Sequence, residues 1–466
     1  MYKLQIKLKQ HTPMIHFQHD QEGATLRASE VKPKLDKFIL KRLGEENYEK
    51  ISDDEYEEVA NKYERKNKNF SFDDLSKEEQ EYEVGKYIVA KNNWSVGKEE
   101  QAAINYKMRI EAGNKMDKIK LEVKSKKDKF ETEPFPFLLS NMGGADTKES
   151  LVNFSAYDYI YLTIFSLNND IIILLSQSIQ LFFATNNFGQ RENKGFGSFT
   201  VVKIDNNIVE TPRDFLSKYH YMSFKLKDIK DLNNKDVPLK IFNTIDFYWK
   251  CLKSGVNYTN NGKYPERYVK AFLWTYLERL GQTWEKRLIK ETFNLTTGLE
   301  RKENTNNVSF ARAILGCPDK FEYKNKGKTV LVKHKEKDKE LAISRIPSPI
   351  IFKPIVEKKD NIFNVFIYVL FNENVIQELR KMKNLVFEFS CDKKGLLLEV
   401  NPDIIDLKKL IKQYHQYIKD KQFGILGFAN EYKYERYEDK HDLEDSTWFI
   451  PLDYRWSWLN SHVVLK

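Results

Sequence analysis

Apolar and polar residues alternate strictly at the start of the chain, and this alternation constrains the fold more than any other feature. Tyr2, Leu4, Ile6 and Leu8 are separated by lysine or glutamine at positions 3, 5, 7 and 9. A period of two places successive side chains on opposite faces of a β-strand. The pattern predicts an N-terminal strand with one buried face and one basic outer face. It lacks the apolar core of a signal peptide.

The patterns that follow predict a mixed architecture. Apolar spacing indicates a helix over residues 29–43, a strand over 157–165, a helix over 171–183 and a strand over 199–204. Together with the first strand and an insertion, this order is strand, helix, insertion, strand, helix, strand. It predicts an α+β fold in which residues 1–205 form a ferredoxin-like (RRM-like) domain.

Two blocks of opposite charge interrupt this first domain. Residues 45–85 carry 15 acidic and 6 basic side chains, whereas residues 86–130 carry 12 basic and 6 acidic ones. We expect a charged helical insertion over residues 44–130. Two interpretations stay open: solvated helices with internal ion pairs, or a surface that docks on a partner subunit or a nucleic acid.

A second ferredoxin-like domain is predicted over residues 206–420. Its main feature is a long amphipathic helix over residues 265–293. The remaining predicted elements are the strands 350–356, 363–370, 385–389 and 396–400 and the helices 374–382 and 402–419. The C-terminal tail, residues 421–466, contains three tryptophans, which favours docking onto the body of the protein.

Composition narrows the protein class. The 466 residues exceed one compact domain, and 41% hydrophobic and 14% aromatic residues are sufficient for packed cores. The formal net charge of +9 is compatible with a polyanionic partner. Three distant cysteines are too few for a disulfide framework, which favours a reducing cytoplasm. No apolar run approaches the length of a membrane span, so we expect a cytoplasmic protein without a membrane partner.

The segment of residues 186–199 is the most specific candidate site. Gly189, Gly195 and Gly197 fall close to Arg191 and Lys194, between a predicted helix and a predicted strand. Glycine permits positive φ and close approach of a sugar-phosphate chain, and exposed amides with two cations would hold phosphates. The position excludes a Walker loop and a dinucleotide fingerprint. A plain turn is the alternative.

A second candidate lies near the N-terminus. Three histidines and Asp20 fall within residues 11–20, and Arg27 follows. A metal site is a weaker alternative, because no third ligand is evident. Acid–base catalysis by His16 or His19 is a weaker alternative as well. Hydrogen bonding to a single-stranded backbone, anchored by Arg27, is the favoured functional interpretation. A loop packed at the domain edge is the structural alternative.

The third candidate is a proline-bounded segment, residues 343–354. Arg345 and Lys353 flank Pro347 and Pro349, so the two cations could clamp a phosphate or form structural ion pairs. No nucleophile–base pair is evident. We therefore predict no catalytic residues, metal or cofactor, and an RNA-binding set that comprises His16, His19, Arg27, Gly189, Arg191, Lys194, Gly195, Gly197, Arg345 and Lys353.

At these places the chain resembles the RAMP superfamily of CRISPR-associated RNA-binding proteins. Residues 188–197 resemble the glycine-rich loop that precedes the last strand of a RAMP domain, and residues 12–13 and 26–29 resemble the start of such proteins. Residues 315–318 and 345–353 are similar to the head-end RAMP subunit of the type III-B (Cmr) effector.

This resemblance implies a non-catalytic RNA-binding subunit of a type III CRISPR ribonucleoprotein in antiviral defence. It would hold the CRISPR RNA near its 3′ end, beside other RAMP subunits, and support capture of target RNA. Guide pairing would read the sequence while the protein reads backbone and shape. The alternative is a RAMP endoribonuclease that processes CRISPR RNA with His16 or His19.

Overall fold

The computed structural model describes most of the chain and divides it into two units. The first unit comprises the described residues up to Tyr219, and the second comprises those from His220 onward. The sequence places its domain boundary earlier, at residue 205. The described residues are 1–15, 25–67, 71–96, 103–113, 115–123, 150–230, 236–260, 264–295, 308–323, 326–334, 346–359, 362–381, 385–420 and 463–465.

The first unit contains both strands and helices. In chain order they are β1 (Tyr2–Gln10), α1 (Ala28–Asn47), α2 (Asp53–Lys66), α3 (Lys77–Lys91), β2 (Lys107–Ala112), β3 (Lys115–Val123), β4 (Ser150–Tyr157), β5 (Tyr159–Ser166), α4 (Asn169–Thr185), β6 (Phe199–Ile204), β7 (Asn207–Ile208) and α5 (Pro212–Leu216).

An antiparallel sheet with the strand order β2-β5-β1-β6-β7 is the base of this unit. Leu4, Ile6 and Leu8 of β1 are buried, as the alternation predicts. They share one core with apolar side chains of α1 and α4, so both helices cover this face of the sheet. The predicted strand at the N-terminus and the α+β class are confirmed.

The four longer strands of this sheet and the two helices that cover it follow one another as strand, helix, strand, strand, helix, strand. Their chain order is β1, α1, β2, β5, α4 and β6. This order adds one strand, β2, to the order expected from the sequence. Strand β2 escapes detection because its outward side chains are charged and its inward ones, Met108 and Ile110, are few. Every pair of neighbouring strands in this sheet is antiparallel.

The charged insertion begins as helices with a small core of their own. Val59, Phe72 and Val84 are buried together and are surrounded by tyrosines of the same segment. Ser52 and Ser76 begin α2 and α3 with capping boxes. Ion pairs such as Lys77–Glu49, with 2.8 Å between Nζ and Oε1, lie within the insertion. Internal pairing of this kind is what the solvated-helix interpretation expects.

In the second half of the insertion the described residues 107–112 and 115–123 form strands, so the prediction of a helical insertion over residues 44–130 is wrong there. Strand β2 pairs with β5, and β3 pairs with β4. Strands β3 and β4 form a two-stranded sheet of their own. Strand pairing from a distant part of the chain decides this segment, because its charged sequence carries too weak an intrinsic preference to do so.

The second unit has the same mixture of elements. In chain order they are β8 (Met222–Lys230), α6 (Asp236–Lys253), β9 (Val256–Asn260), β10 (Tyr264–Val269), α7 (Phe272–Arg279), α8 (Glu285–Thr292), β11 (Lys320–Tyr323), β12 (Lys328–His334), β13 (Ile350–Lys359), β14 (Ile362–Phe371), α9 (Glu373–Lys381), β15 (Leu385–Cys391), β16 (Lys394–Val400), α10 (Leu407–Asp420) and β17 (Val463–Leu465).

Two four-stranded sheets organise this unit. One has the strand order β13-β14-β8-β17 and the other β11-β12-β15-β16. Strands β13 to β16 confirm the four strands predicted here, and α9 confirms the helix predicted over residues 374–382. The helix predicted over residues 402–419 begins later, at Leu407, after a short 3-10 helix at Pro402–Ile404.

The predicted long helix over residues 265–293 is wrong. This stretch forms the strand β10 and the two shorter helices α7 and α8. Gly281, at φ 68°, lies just after α7, where the left-handed conformation ends a helix. The indole rings of Trp274 and Trp284 stack with centroids 6.2 Å apart. Apolar spacing that resembles one long helix therefore comes from two helices with a shared aromatic contact.

The C-terminal prediction falls mainly outside the described residues. Its tryptophans lie there, and only the backbone of β17 is described, where it pairs with β8. Among the helices in the part of the chain that the structure describes, none is long and apolar enough to cross a membrane.

Candidate nucleic-acid interface

The glycine-rich loop, residues 186–198, joins α4 to β6 in the first unit. Its entry is fixed by Phe188, which is fully buried. The Phe188 ring lies 5.7 Å from that of Phe182 and 6.0 Å from that of Phe199, measured between centroids. The helix before the loop and the strand after it thus share one aromatic contact, which holds both ends of the loop.

Two glycines are required by close contacts inside the protein. Gly189 has φ 85°, and a Cβ there would lie 2.6 Å from the carbonyl oxygen of Ile15. Gly197 has φ 64°, and a Cβ there would lie 1.8 Å from the carbonyl oxygen of Phe188. These positions exclude any side chain, because the approaching atoms belong to the backbone.

The amides of the loop bind the N-terminal segment, residues 11–15. Gln190 N donates to the Ile15 carbonyl at 2.8 Å, and Gly197 N donates to the Pro13 carbonyl at 2.9 Å. Thr12 Oγ1 accepts from Ser198 N at 3.0 Å. The expectation that exposed amides cradle a phosphate is therefore wrong for these groups, since each already has a partner in the protein.

Helix α1 holds the other side of the loop. Gly189 N donates to Glu30 Oε1 at 2.6 Å, and Lys34 forms a salt bridge with Glu192. Burial raises the pKa of Glu192, and the nearby Lys34 ammonium opposes that shift. Asn187 Nδ2 donates to the Glu192 carbonyl at 2.8 Å and closes the turn. The loop is thus a closed structure fastened to α1.

The two cations lie on the rim of this closed loop. Arg191 is in the left-handed conformation, at φ 58°, and begins a short 3-10 helix, Glu192–Lys194. The side chains of Arg191 and Lys194 are half-buried, whereas Gly195 and Gly197 are buried. The structure therefore leaves charge at the surface of the loop and buries most of its glycine backbone.

Arg27 joins the same region of the first unit. It is exposed and immediately precedes α1, whose first turn carries the Glu30 that binds Gly189. The structure thus brings Arg27, Arg191 and Lys194 to one end of α1. His16 and His19 lie outside the described residues. His11, the first histidine of that cluster, is buried with Nε2 2.7 Å from Thr200 Oγ1, which is a structural role.

The predicted phosphate clamp formed by Arg345 and Lys353 is contradicted at Lys353. This residue lies in β13 opposite Tyr368 of β14 and has no exposed surface. Burial lowers the pKa of Lys353 well below its ordinary value, because the ammonium form is desolvated. The predicted RNA-binding role of Lys353 is therefore wrong, since a cation must reach the surface to contact a phosphate. Arg345 lies outside the described residues.

Sequence analysis missed the groups that hold the loop in place. Glu30 and Lys34 lie on a helix and carry no motif, so no sequence signal separates them from other surface charges. Thr12 lies within the segment that carried the resemblance, but the sequence does not show that its hydroxyl accepts a hydrogen bond from Ser198 N. Within the described ranges, no three His, Cys, Asp or Glu side chains are grouped closely enough to hold a metal ion.

Comparison with solved structures finds distant similarity. The crystal structure of apo Cmr1 from Pyrococcus furiosus is 12% identical, covers 80% of this chain and 89% of its own, and has a TM-score of 0.27. A chain from the cryo-EM structure of the type III-B Cmr-beta bound to cognate target RNA is 10% identical, covers 89% and 99%, and has a TM-score of 0.32. No curated protein matches the sequence.

Family models match both halves of the chain. The Cmr1 N-terminal domain matches residues 1–256, and the Cmr1 C-terminal domain matches residues 268–425. These matches confirm the resemblance to CRISPR-associated RAMP proteins that the loops indicated. The chain belongs to the Cmr1 family.

Proposed function

We propose that this protein is a non-catalytic RNA-binding subunit of a type III-B CRISPR effector complex. In this role it holds the CRISPR RNA near its 3′ end and supports capture of target RNA beside other RAMP subunits. Membership of the Cmr1 family over both halves of the chain carries the proposal. The cations at one end of α1 give it a physical site.

The chemistry of that site suits a phosphate backbone. Arg27 is exposed, and Arg191 and Lys194 are half-buried on a loop that backbone contacts hold rigidly. Guanidinium and ammonium groups on a fixed support bind phosphate oxygens without reading the base sequence. Because the loop amides are occupied, side-chain charge rather than backbone donors supplies the affinity in this proposal.

The first prediction concerns these two loop cations. We expect the double variant Arg191→Ala, Lys194→Ala to bind CRISPR RNA more weakly than the wild type while keeping its fold. Losing two phosphate contacts on a single strand should reduce the slope of log affinity against log salt by about 1.4. Filter binding over a series of salt concentrations measures both the affinity and the slope.

The matched control is Arg65→Ala, Lys66→Ala, which removes the same two residue types from exposed positions on α2, a helix with an acidic first turn. Equal slopes for the wild type and the loop variant would contradict the proposed contacts. Metal-free cleavage of a repeat RNA by the purified protein, abolished by His16→Ala or His19→Ala, would instead support the endoribonuclease alternative.

A further inference from the structure

The sheet of the first unit has one face that neither α1 nor α4 covers. It is formed by the side chains that alternate with the buried core positions of β1, β5, β2 and β6. We call it the basic sheet face. It comprises Lys3, Gln5, Lys7, Lys9, Lys107, Arg109, Glu111, Tyr159, Tyr161, Thr163, Phe165 and Lys203.

Charge on this face is strongly one-sided. Six of its side chains are cationic, and Glu111 is the single carboxylate among these twelve positions. Glu111 is paired with Arg109, at 2.6 Å between Oε1 and Nη2. Lys3, Lys107 and Lys203 are exposed at three different strands. The cations are therefore distributed across the sheet, which suits an extended polyanion better than a single small anion.

Aromatic rings lie among these cations. Strand register places Tyr161 opposite Lys7 and Tyr159 opposite Lys9. The Lys7 ammonium lies 3.6 Å from the Tyr159 ring centroid and 5.8 Å from that of Tyr161. Tyr161 is 45% exposed although it is in a central region of the sheet. An exposed ring beside an ammonium group offers a stacking surface for a base and a partner for its phosphate.

Strand β1 connects the basic sheet face to the segment that contacts the glycine-rich loop. Strand β1 runs from Lys3 through Lys9 and passes directly into the N-terminal segment that binds the loop amides. The distance along β1 from Lys3 to Lys9 is about 20 Å. The basic sheet face and the loop cations therefore lie in the same unit, and β1 connects the two regions.

From this geometry we propose that the basic sheet face is a second contact surface for single-stranded RNA. Bases stack on Tyr161, and the surrounding lysines bind the phosphates. This proposal rests on the proposed RNA-binding function and adds to it a site that binds nucleobases by stacking. A single RNA strand supplies a partner for both kinds of group, phosphates for the cations and bases for the exposed Tyr161 ring.

The test is RNA binding by the full-length protein carrying Tyr161→Ala, measured by fluorescence anisotropy with a labelled oligouridine. Loss of one base–aromatic stack should weaken binding by about 5- to 150-fold. Tyr161→Phe keeps the ring and should bind like the wild type. A phosphodiester oligomer of equal length without bases should bind the wild type and Tyr161→Ala equally, because it has nothing to stack.

Three outcomes would overturn the proposal. In the first, Tyr161→Ala and the wild type bind oligouridine equally, while the Arg191→Ala, Lys194→Ala double variant binds it more weakly. This result would refute the sheet-face proposal and leave the proposed function intact. An equal loss for the abasic oligomer shows that Tyr161 acts through folding rather than stacking. Absence of RNA binding by the wild-type chain overturns the proposed function together with the sheet-face proposal.

Discussion

At the scale of single residues, Gly197 explains why the candidate loop is rich in glycine. Its positive φ and the 1.8 Å approach of the Phe188 carbonyl leave no room for a Cβ. The Gly197 N–H also donates a hydrogen bond to the Pro13 carbonyl oxygen. The glycines of this motif thus serve the internal packing of the loop, and in the proposed function only its cations contact RNA.

We expect Gly197→Ala to destabilise the protein by more than the cost of positive φ alone, which is about 1–3 kcal/mol. The matched control is Gly281→Ala, because Gly281 has a similar φ of 68° and a Cβ there would have no atom within 4 Å. Thermal unfolding followed by circular dichroism compares the two. Equal shifts in Tm would contradict the argument from backbone contact.

The burial of Lys353 predicts how the free energy of unfolding depends on pH. Because burial lowers its pKa, the unfolded chain binds a proton that the folded chain does not, at any pH between the two pKa values. The free energy of unfolding therefore rises with pH through this window, by at most about 1.4 kcal/mol per pH unit. We expect Lys353→Met to flatten this rise and to stabilise the protein at neutral pH.

Denaturant unfolding at several pH values measures this effect. Lys225→Met is the control, since Lys225 lies on β8 of the same sheet and is only half-buried. A loss of stability in Lys353→Met at neutral pH, with an unchanged pH slope, would show that the ammonium form is retained in the fold.

At the scale of elements, the insertion contains a small core that is separate from the main one. Phe72 is fully buried, with its ring 5.4 Å from that of Tyr56 and 5.9 Å from that of Tyr63. Helix α3 also packs extensively on α1, whereas α2 depends mainly on this small core. The two helices of the insertion therefore have different support.

We expect Phe72→Ala to remove about 3–5 kcal/mol from the small core and to free α2 while α1 and α3 stay folded. Hydrogen exchange should rise in residues 53–66 and remain low in α1. Phe72→Leu, which keeps an apolar side chain of intermediate size, should raise exchange much less. Global unfolding by Phe72→Ala would show that the two cores are one cooperative unit.

The elements also show where periodicity misleads. Residues 265–293 have apolar spacing that resembles a single helix, yet Gly281 and the strand pairing of β9 with β10 divide the stretch. Residues 107–112 form a strand although their block is dominated by charge. Strand β2 depends on pairing with β5, which is distant in sequence and leaves no trace in local periodicity, whereas β10 pairs with the preceding strand β9 and Gly281 ends α7.

At the scale of the whole molecule, the family match and the candidate RNA contacts cover different parts of the chain. The family match spans both halves of the chain, but the candidate contacts with RNA that the structure describes lie in the first unit. Lys353 in the second unit is used for packing. If the proposals hold, the first unit carries the described RNA contacts on its loop rim and on its sheet face.

The sequence by itself determined β1, β5, β6, α1 and α4 of the first unit and the strands β13 to β16 of the second, because period-two and helical spacing of apolar residues record which side faces a core. It also determined that β1 has a basic outer face. Only the tertiary structure decided that the loop amides are occupied, that Lys353 is buried and that Tyr161 lies beside Lys7. Each of these depends on contacts between segments far apart in the chain, which local spacing does not encode.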